Sequence, residues 1–325
     1  MQPFAYMRAG SVESAVAAAS DRNRFIAGGI DLLGEMKEGI ATPAMLVSVL
    51  GIPSLDTIER TASGWRIGAN VTLTALAGHQ ALATAVPAVV EAARGAASPQ
   101  IRNVSTVAGN LAQHSRCWYY RHRDVPCLKK GGSTCFAQEG ENKYHTIFGE
   151  SRCISPVVSN LATALSALEA VVLVQRKNRT LRWTMAQLYE TAWRAARAHN
   201  SLLPGDLVTA IEIPFSAARC AYLQQAEKSG FDWALVSCAA CVETGDDGRV
   251  RVARVALGAV APVPYRDAAA ERALVGKTLD ETTAYACADQ LLRRAKPLDG
   301  NGYKVPLARA LIKRALLAAA AVQPS

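Results

Sequence analysis

Apolar residues fall in short blocks along the chain, most of them strand-length, divided by glycine, proline and charged residues. Residues 11–20 predict a short helix, with Ser11 as N-cap and alanines through its body. Residues 24–27 read as the end of a strand that runs into Gly28-Gly29, and 31–37 follow as a helix. The stretch 44–50 is an unbroken apolar run of strand length, closed by Gly51. Residues 65–69 give another short strand. Helices are predicted from 74 to about 83 and from 87 to 95. Thr72 or Thr74 caps the first and Pro87 opens the second.

From 96 to 116 the periodicity fails, and small and polar residues gather around Gly109. The stretch 117–153 is also weakly periodic and is rich in Gly, Lys, Arg and Asn. A loop that long inside a compact domain is usually functional. Past it, 161–170 predicts an amphipathic helix. Residues 170–175 and 179–183 predict paired strands turning at Arg176-Lys177-Asn178, and 183–198 is mostly helical. Pro204-Gly205-Asp206 marks a turn before a strand at 207–213. The pattern then changes. Residues 222–227, 234–242 and 250–260 predict an antiparallel sheet, with helices at 279–295 and 303–321 after it. Strands followed by helices predict a separate α+β unit. We therefore divide the chain into domains 1–215 and 216–325, the first carrying the polar loop as an insertion at about 114–155.

Composition narrows the class. The 325 residues suffice for two or three packed units. Half are hydrophobic and 19% are charged, which excludes a disordered chain. No apolar run reaches the roughly 18 residues of a membrane span. The start, Met1-Gln2-Pro3-Phe4-Ala5-Tyr6, lacks the basic and apolar regions of a secretory signal. The expected compartment is the cytoplasm, or the periplasm if the chain leaves with a signal-bearing partner. A net charge of +9 raises the question of nucleic acid, but no basic stripe accompanies a nucleic-acid motif. The basic residues nearest one another, Arg116, Arg121, Arg123, Lys129 and Lys130, lie in or beside the polar loop.

Two stretches carry candidate chemistry for an anion. Ala27-Gly28-Gly29-Ile30-Asp31-Leu32 joins a strand to a helix. Paired glycines let backbone amides approach a ligand, and a diphosphate suits such a turn. It lacks the Gly-x-Gly-x-x-Gly spacing of the dinucleotide fingerprint, and by itself it also describes a plain strand-to-helix turn. Ser105-Thr106-Val107-Ala108-Gly109-Asn110 supplies hydroxyl and amide groups, and Gln100, Arg102 and Asn103 stand just upstream as donors for the polar edge of a flavin.

Together, Gly-Gly-x-Asp-Leu-Leu and the later Arg-Asn-x-x-Thr-x-x-Gly-Asn resemble the FAD-binding subunits of the xanthine dehydrogenase family of molybdenum hydroxylases. Residues 234–237 and 257–266 and the final helix extend the resemblance over nearly the whole chain. It implies an α+β protein: a two-subdomain FAD-binding domain of the vanillyl-alcohol-oxidase type, then a C-terminal α+β domain of the CO dehydrogenase flavoprotein type. It implies that residues 27–32 wrap the FAD diphosphate and that Thr106, Gly109 and Asn110 complete the grip. Lys228 would approach the flavin edge. Asn160 stands where relatives commonly have aspartate, so it would touch FAD without a charge, and Ile30 replaces a common threonine.

Eight cysteines are present, and four lie in or at the edges of the loop: Cys117, Cys127, Cys135 and Cys153. Nine, seven and seventeen residues separate them, unlike the close pairs of zinc sites. The loop offers little apolar core to bury thiols, and its Arg and Lys residues would offset thiolate charge. His114, His122 and His145 are alternative ligands. Cys220, Cys238, Cys241 and Cys287 have apolar or alanine-rich neighbours and read as buried packing residues, although Cys238-x-x-Cys241 has the form of a metal or redox pair. The resemblance implies a [4Fe–4S] cluster on Cys117, Cys127, Cys135 and Cys153, as in the aldehyde oxidoreductase branch and in 4-hydroxybenzoyl-CoA reductase.

The function so implied is electron transfer. A molybdenum-cofactor large subunit would oxidise the substrate, most simply an aldehyde. Electrons would pass through the [2Fe–2S] clusters of a small subunit to FAD here and on to an external acceptor. No catalytic acid, base or nucleophile is expected in this chain. Alternatives are the flavin subunit of a 4-hydroxybenzoyl-CoA reductase-like or xanthine/N-heterocycle dehydrogenase, a stand-alone FAD oxidoreductase, and a zinc-stabilised binding module.

Overall fold

The computed structural model describes residues 1–321. Strands β1 (Ala5–Arg8), β2 (Asn23–Ile26) and β3 (Met45–Ser48) form a parallel sheet with β3 in the centre. Parallel neighbours need crossover connections, which helices Val12–Ala17 and Leu32–Lys37 help to supply. Ser11 caps the first helix in a reciprocal box with Ser14. Central β3 is buried from Leu46 to Ser48, which explains why its sequence reads as one apolar run.

A second sheet is antiparallel. It comprises β4 (Ile58–Arg60), β5 (Gly64–Gly68), β6 (Val171–Arg176), β7 (Arg179–Thr184) and β8 (Leu207–Pro214), ordered β4-β5-β8-β6-β7. Helices Pro87–Arg94 and Asn160–Ala167 share its core, and every residue of the latter is buried. The helix expected at 74–83 breaks at His79. That residue ends helix Leu73–Gly78 and starts Gln80–Ala85, its ring Nδ1 accepting from the Leu82 amide at 3.2 Å.

The third sheet, β9 (Arg219–Gln225), β10 (Val236–Thr244) and β11 (Val250–Gly258), is antiparallel with β10 central. Both its faces are buried. Ala239 and Cys241 join the core of the first domain. Val236, Cys238, Ala240 and Val242 face the other way, into a second core with helices Glu281–Leu292 and Lys304–Ala321. Cys238 and Cys241 are three positions apart on one strand, so they point to opposite faces and form no pair. Cys241 instead stands opposite Cys220 on β9, and a disulfide joins them. This corrects the expectation of four free packing cysteines; Cys238 and Cys287 alone keep that role.

The polar loop is sewn into this frame. Ile147 and Phe148 are part of the second core. Asn301 donates to the carbonyls of His145 and Thr146, and the Gly300 amide donates to Asn142 Oδ1 at 2.9 Å. Lys304, fully buried, donates to the carbonyls of Ala259 and Tyr144 at 2.7 and 3.1 Å. Among the described residues no helix is long and apolar enough to cross a membrane.

Candidate functional site

Gly28 shows why two distant polar stretches meet. A Cβ at this position would lie 1.9 Å from the Val104 carbonyl oxygen, so only glycine lets the first turn rest against the loop before Ser105. Gly29 has φ +72°, a backbone conformation that L side chains rarely adopt. The two turns border a cleft of about 1070 Å³. Ala27, Gly28, Gly29, Ile30, Asp31, Leu32, Thr106, Gly109, Asn110 and Asn160 all line it.

Their side chains are already oriented. Thr106 caps helix Val107–Leu111 by accepting from the Gly109 amide at 3.1 Å. Asn110 Oδ1 accepts from the Ser159 hydroxyl at 2.6 Å, and Ser159 itself caps helix Asn160–Ala167. Asn160 donates to Gln224 Oε1 at 2.8 Å. The result is a set of polar groups held in place around the cleft, at the starts of two helices.

Other candidates sit elsewhere. Gln100, Arg102, Asn103 and Lys228 are not among the residues lining the cleft. Arg102 donates to the carbonyls of Ala96 and Ala97 at 2.8 and 2.7 Å, and Asn103 accepts from Thr74 at 2.7 Å. The cleft is lined instead by residues 96–98, Gln113, His114, Arg116, residues 202–208, Phe231 and Trp233. The Pro204-Gly205-Asp206 turn was visible in the sequence, but nothing there linked it to residue 27.

Beside the cleft lies a charged network. Asp31 accepts from the His114 amide at 2.7 Å and pairs with Arg121 at 2.5 Å and Arg116 at 3.3 Å. Burial opposes its ionisation, but the two guanidiniums and the amide outweigh burial and hold its pKa below the usual value. Buried Glu35 accepts from the Tyr120 hydroxyl at 2.8 Å and contacts His114 Nδ1 at 2.9 Å. Asp31, Glu35 and His114 offer ligand atoms within 4.8 Å of one another, yet both carboxylates already have cationic or donor partners. His114 stacks on His199 at 3.9 Å between centroids, and Tyr120 meets His199 edge-on at 5.0 Å. Burial and nearby His114, Lys129 and Arg121 push His199 well below its ordinary pKa, so it is neutral.

Tyr120 borders a second, small pocket as well as the cleft. Cys117, Cys127, Cys135 and Cys153 all line that pocket, with Lys129, Phe136, His145 and Ser155. All four are free thiols. Burial raises Cys117 to about 11. A hydrogen bond from Cys153 pulls Cys135 down to about 6 and pushes Cys153 up. His145 Nε2 lies 3.2 Å from Cys117 Sγ, while its buried Nδ1 has no hydrogen-bond partner among the described residues, and burial lowers its pKa to about 4. Of the alternative ligands, only His145 reaches this pocket. His114 belongs to the Glu35 network, and His122 accepts from the Asp124 amide at 3.3 Å, outside both sites.

Known proteins share this arrangement of domains. Residues 2–216 match the model of the FAD-binding domain in molybdopterin dehydrogenase, and 221–319 match the CO dehydrogenase flavoprotein C-terminal domain. The chain is 36% identical to the aldehyde oxidoreductase FAD-binding subunit PaoB of Escherichia coli K12, covering 99% of both chains. It is 27% identical to the carbon monoxide dehydrogenase medium chain of Hydrogenophaga pseudoflava, over 97% of this chain and 96% of that one. A solved structure of carbon monoxide dehydrogenase from H. pseudoflava superposes with a TM-score of 0.77 at 26% identity, covering 98% of each chain. Quinoline 2-oxidoreductase from Pseudomonas putida 86 shows the same fold, with a TM-score of 0.77 at 23% identity over 98% of this chain and 97% of that one.

Proposed function

The chain belongs to the FAD-binding subunits of the molybdenum hydroxylase family, and from that premise we propose that it carries electrons between FAD and an iron–sulfur cluster held on its own cysteines, in a complex that oxidises aldehydes. Bound FAD would take an electron pair and pass electrons on singly. The chain's own part is to hold and orient. Residues 27–32 would present backbone amides to the diphosphate, while Thr106, Gly109, Asn110 and Asn160 fix the polar rim. Gln100, Arg102, Asn103 and Lys228 retain at most an outer role, because they lie off the cleft lining. Asp31 turns its carboxylate to Arg116 and Arg121, so its charge is matched and does not repel an anionic ligand.

The observation that carries the cluster is the convergence of four free thiols from four separate positions on one pocket. Soft donors in that number suit iron and sulfide. A cluster core sets atoms between its ligands, so they need not lie within direct reach of one another. On this reading the aldehyde substrate would meet a molybdenum-cofactor large subunit, and [2Fe–2S] clusters of a small subunit would deliver electrons to FAD before they leave for an external acceptor. Similarity to an aldehyde oxidoreductase subunit over the whole chain favours aldehydes over carbon monoxide or N-heterocycles. We place the domain boundary at 215, between β8 and β9.

The test is cofactor analysis of the purified complex. FAD, iron and acid-labile sulfide beyond what the small subunit holds are expected in this chain, with iron lost in Cys127→Ser. Zinc in place of iron, or aldehyde turnover by this chain alone, would overturn the proposal.

A further inference from the structure

Among the described residues, Lys129 is a cation with no carboxylate paired to it. It projects from the short 3-10 turn Leu128–Lys130, directly after Cys127, and lines the four-cysteine pocket. Its ammonium donates to the Ala198 carbonyl at 2.7 Å, which pins it in place. Among the described residues no carboxylate lies within ion-pair distance of it, although eleven other Arg and Lys residues have one. Taking an ammonium out of water costs several kcal/mol unless an anion offsets it. The groups that share the pocket with Lys129 include the thiols of Cys117, Cys127, Cys135 and Cys153, each of which gains a negative charge if it gives up its proton to a bound centre. The position is therefore arranged for negative charge in the pocket.

We propose that Lys129 raises the reduction potential of the centre bound by these cysteines and so draws the electron from the flavin side toward it. The inference rests on the cluster reading above. A four-thiolate cluster gains one electron on reduction and becomes one charge more negative, with no bond made or broken. A fixed positive charge favours the reduced form over the oxidised one. The pocket is well placed for exchange, because Tyr120 borders it and the flavin cleft alike, and His199 touches the Tyr120 ring.

The experiment is potentiometric titration of the intact complex, followed by electron paramagnetic resonance of the cluster and by flavin absorbance. Lys129→Met should shift the electron equilibrium away from the cluster tenfold or more, a fall of about 59 mV in its midpoint. Lys129→Arg should restore it, and the flavin midpoint should stay in place. Lys129→Gln, which keeps a donor for Ala198, is read in the same way as Lys129→Met. An unchanged cluster midpoint in an iron-replete neutral variant overturns the inference. Loss of iron from both neutral variants but not from Lys129→Arg supports the role of the charge. Loss from all three overturns it, because shape and not charge is then what matters. A parent complex with no iron in this chain refutes the cluster reading itself.

Discussion

Lys304→Met tests the energetics of a buried charge. Lys304 is fully buried on the last helix, its ammonium held by two carbonyls, with no carboxylate in ion-pair reach among the described residues. Burial lowers its pKa from 10.5 to about 7. At about 1.4 kcal/mol per factor of ten, that fall corresponds to a penalty of about 5 kcal/mol at and below pH 7. Between pH 7 and 10.5 the unfolded chain holds the proton that the folded chain has released, so stability rises with pH. From pH 7 to pH 9 the gain is about 2–3 kcal/mol. Methionine removes the proton and with it this slope, while leaving two carbonyls short of a donor at about 1–3 kcal/mol each, at every pH. Urea unfolding of metal-free parent and variant at pH 7, 8 and 9 reads the difference. The parent should gain on the variant as pH rises. Parallel curves for the two proteins would refute the reasoning, whatever their offset.

Three further outcomes are expected. Gly28→Ala drives a methyl into the Val104 carbonyl, forcing the turn off the loop at about 1–3 kcal/mol, and bound FAD per chain should fall at least tenfold. Alkylation of the denatured, unreduced protein should label six cysteines, and reduction should add two, with peptide mapping assigning the pair to Cys220 and Cys241; eight without reductant contradicts the bond. Asp31→Asn removes the partner of Arg116 and Arg121. A carboxylate with a lowered pKa contributes stability above about pH 4 that is lost as pH falls, so the variant should be less stable than the parent at pH 7 and the gap should close on acidification.

What the sequence disclosed follows from which signals are local. Ser11 and Pro87 mark starts of helices through their own backbone preferences, and the structure starts helices beside both, whereas the strand expected to run to Gly51 stops at Ser48. The 96–116 stretch hid two helices, Pro99–Arg102 and Val107–Leu111, because four or five residues are too few to show a period. The glycine turn was legible. Its contact with Val104 was not, since nothing in a sequence says which distant carbonyl a missing Cβ makes room for. Donors at 100–103 suited a flavin in composition, yet Arg102 serves the backbone of its own loop. Cys220 and Cys241 bond because of strand register, which sits above residue type. Lys304 went unnoticed because a lysine in a helix is ordinarily solvated. The four loop cysteines were grouped by their polar surroundings, and the fold brings them to one pocket.

The ties between the loop and the end of the chain set an order of events during synthesis. Cys117 to Cys153 are made early, but Gly300, Asn301 and Lys304, which fasten residues 142–146, come some 150 residues after Cys153. At about 5–20 residues per second the ribosome takes on the order of ten to thirty seconds to close that gap. Until then the loop is held only through residues such as Arg121, Tyr120 and Lys129, and residues 142–146 lack their ties. Premature termination between residues 153 and 300 therefore leaves a polypeptide that has all four loop cysteines but lacks the residues that fasten 142–146.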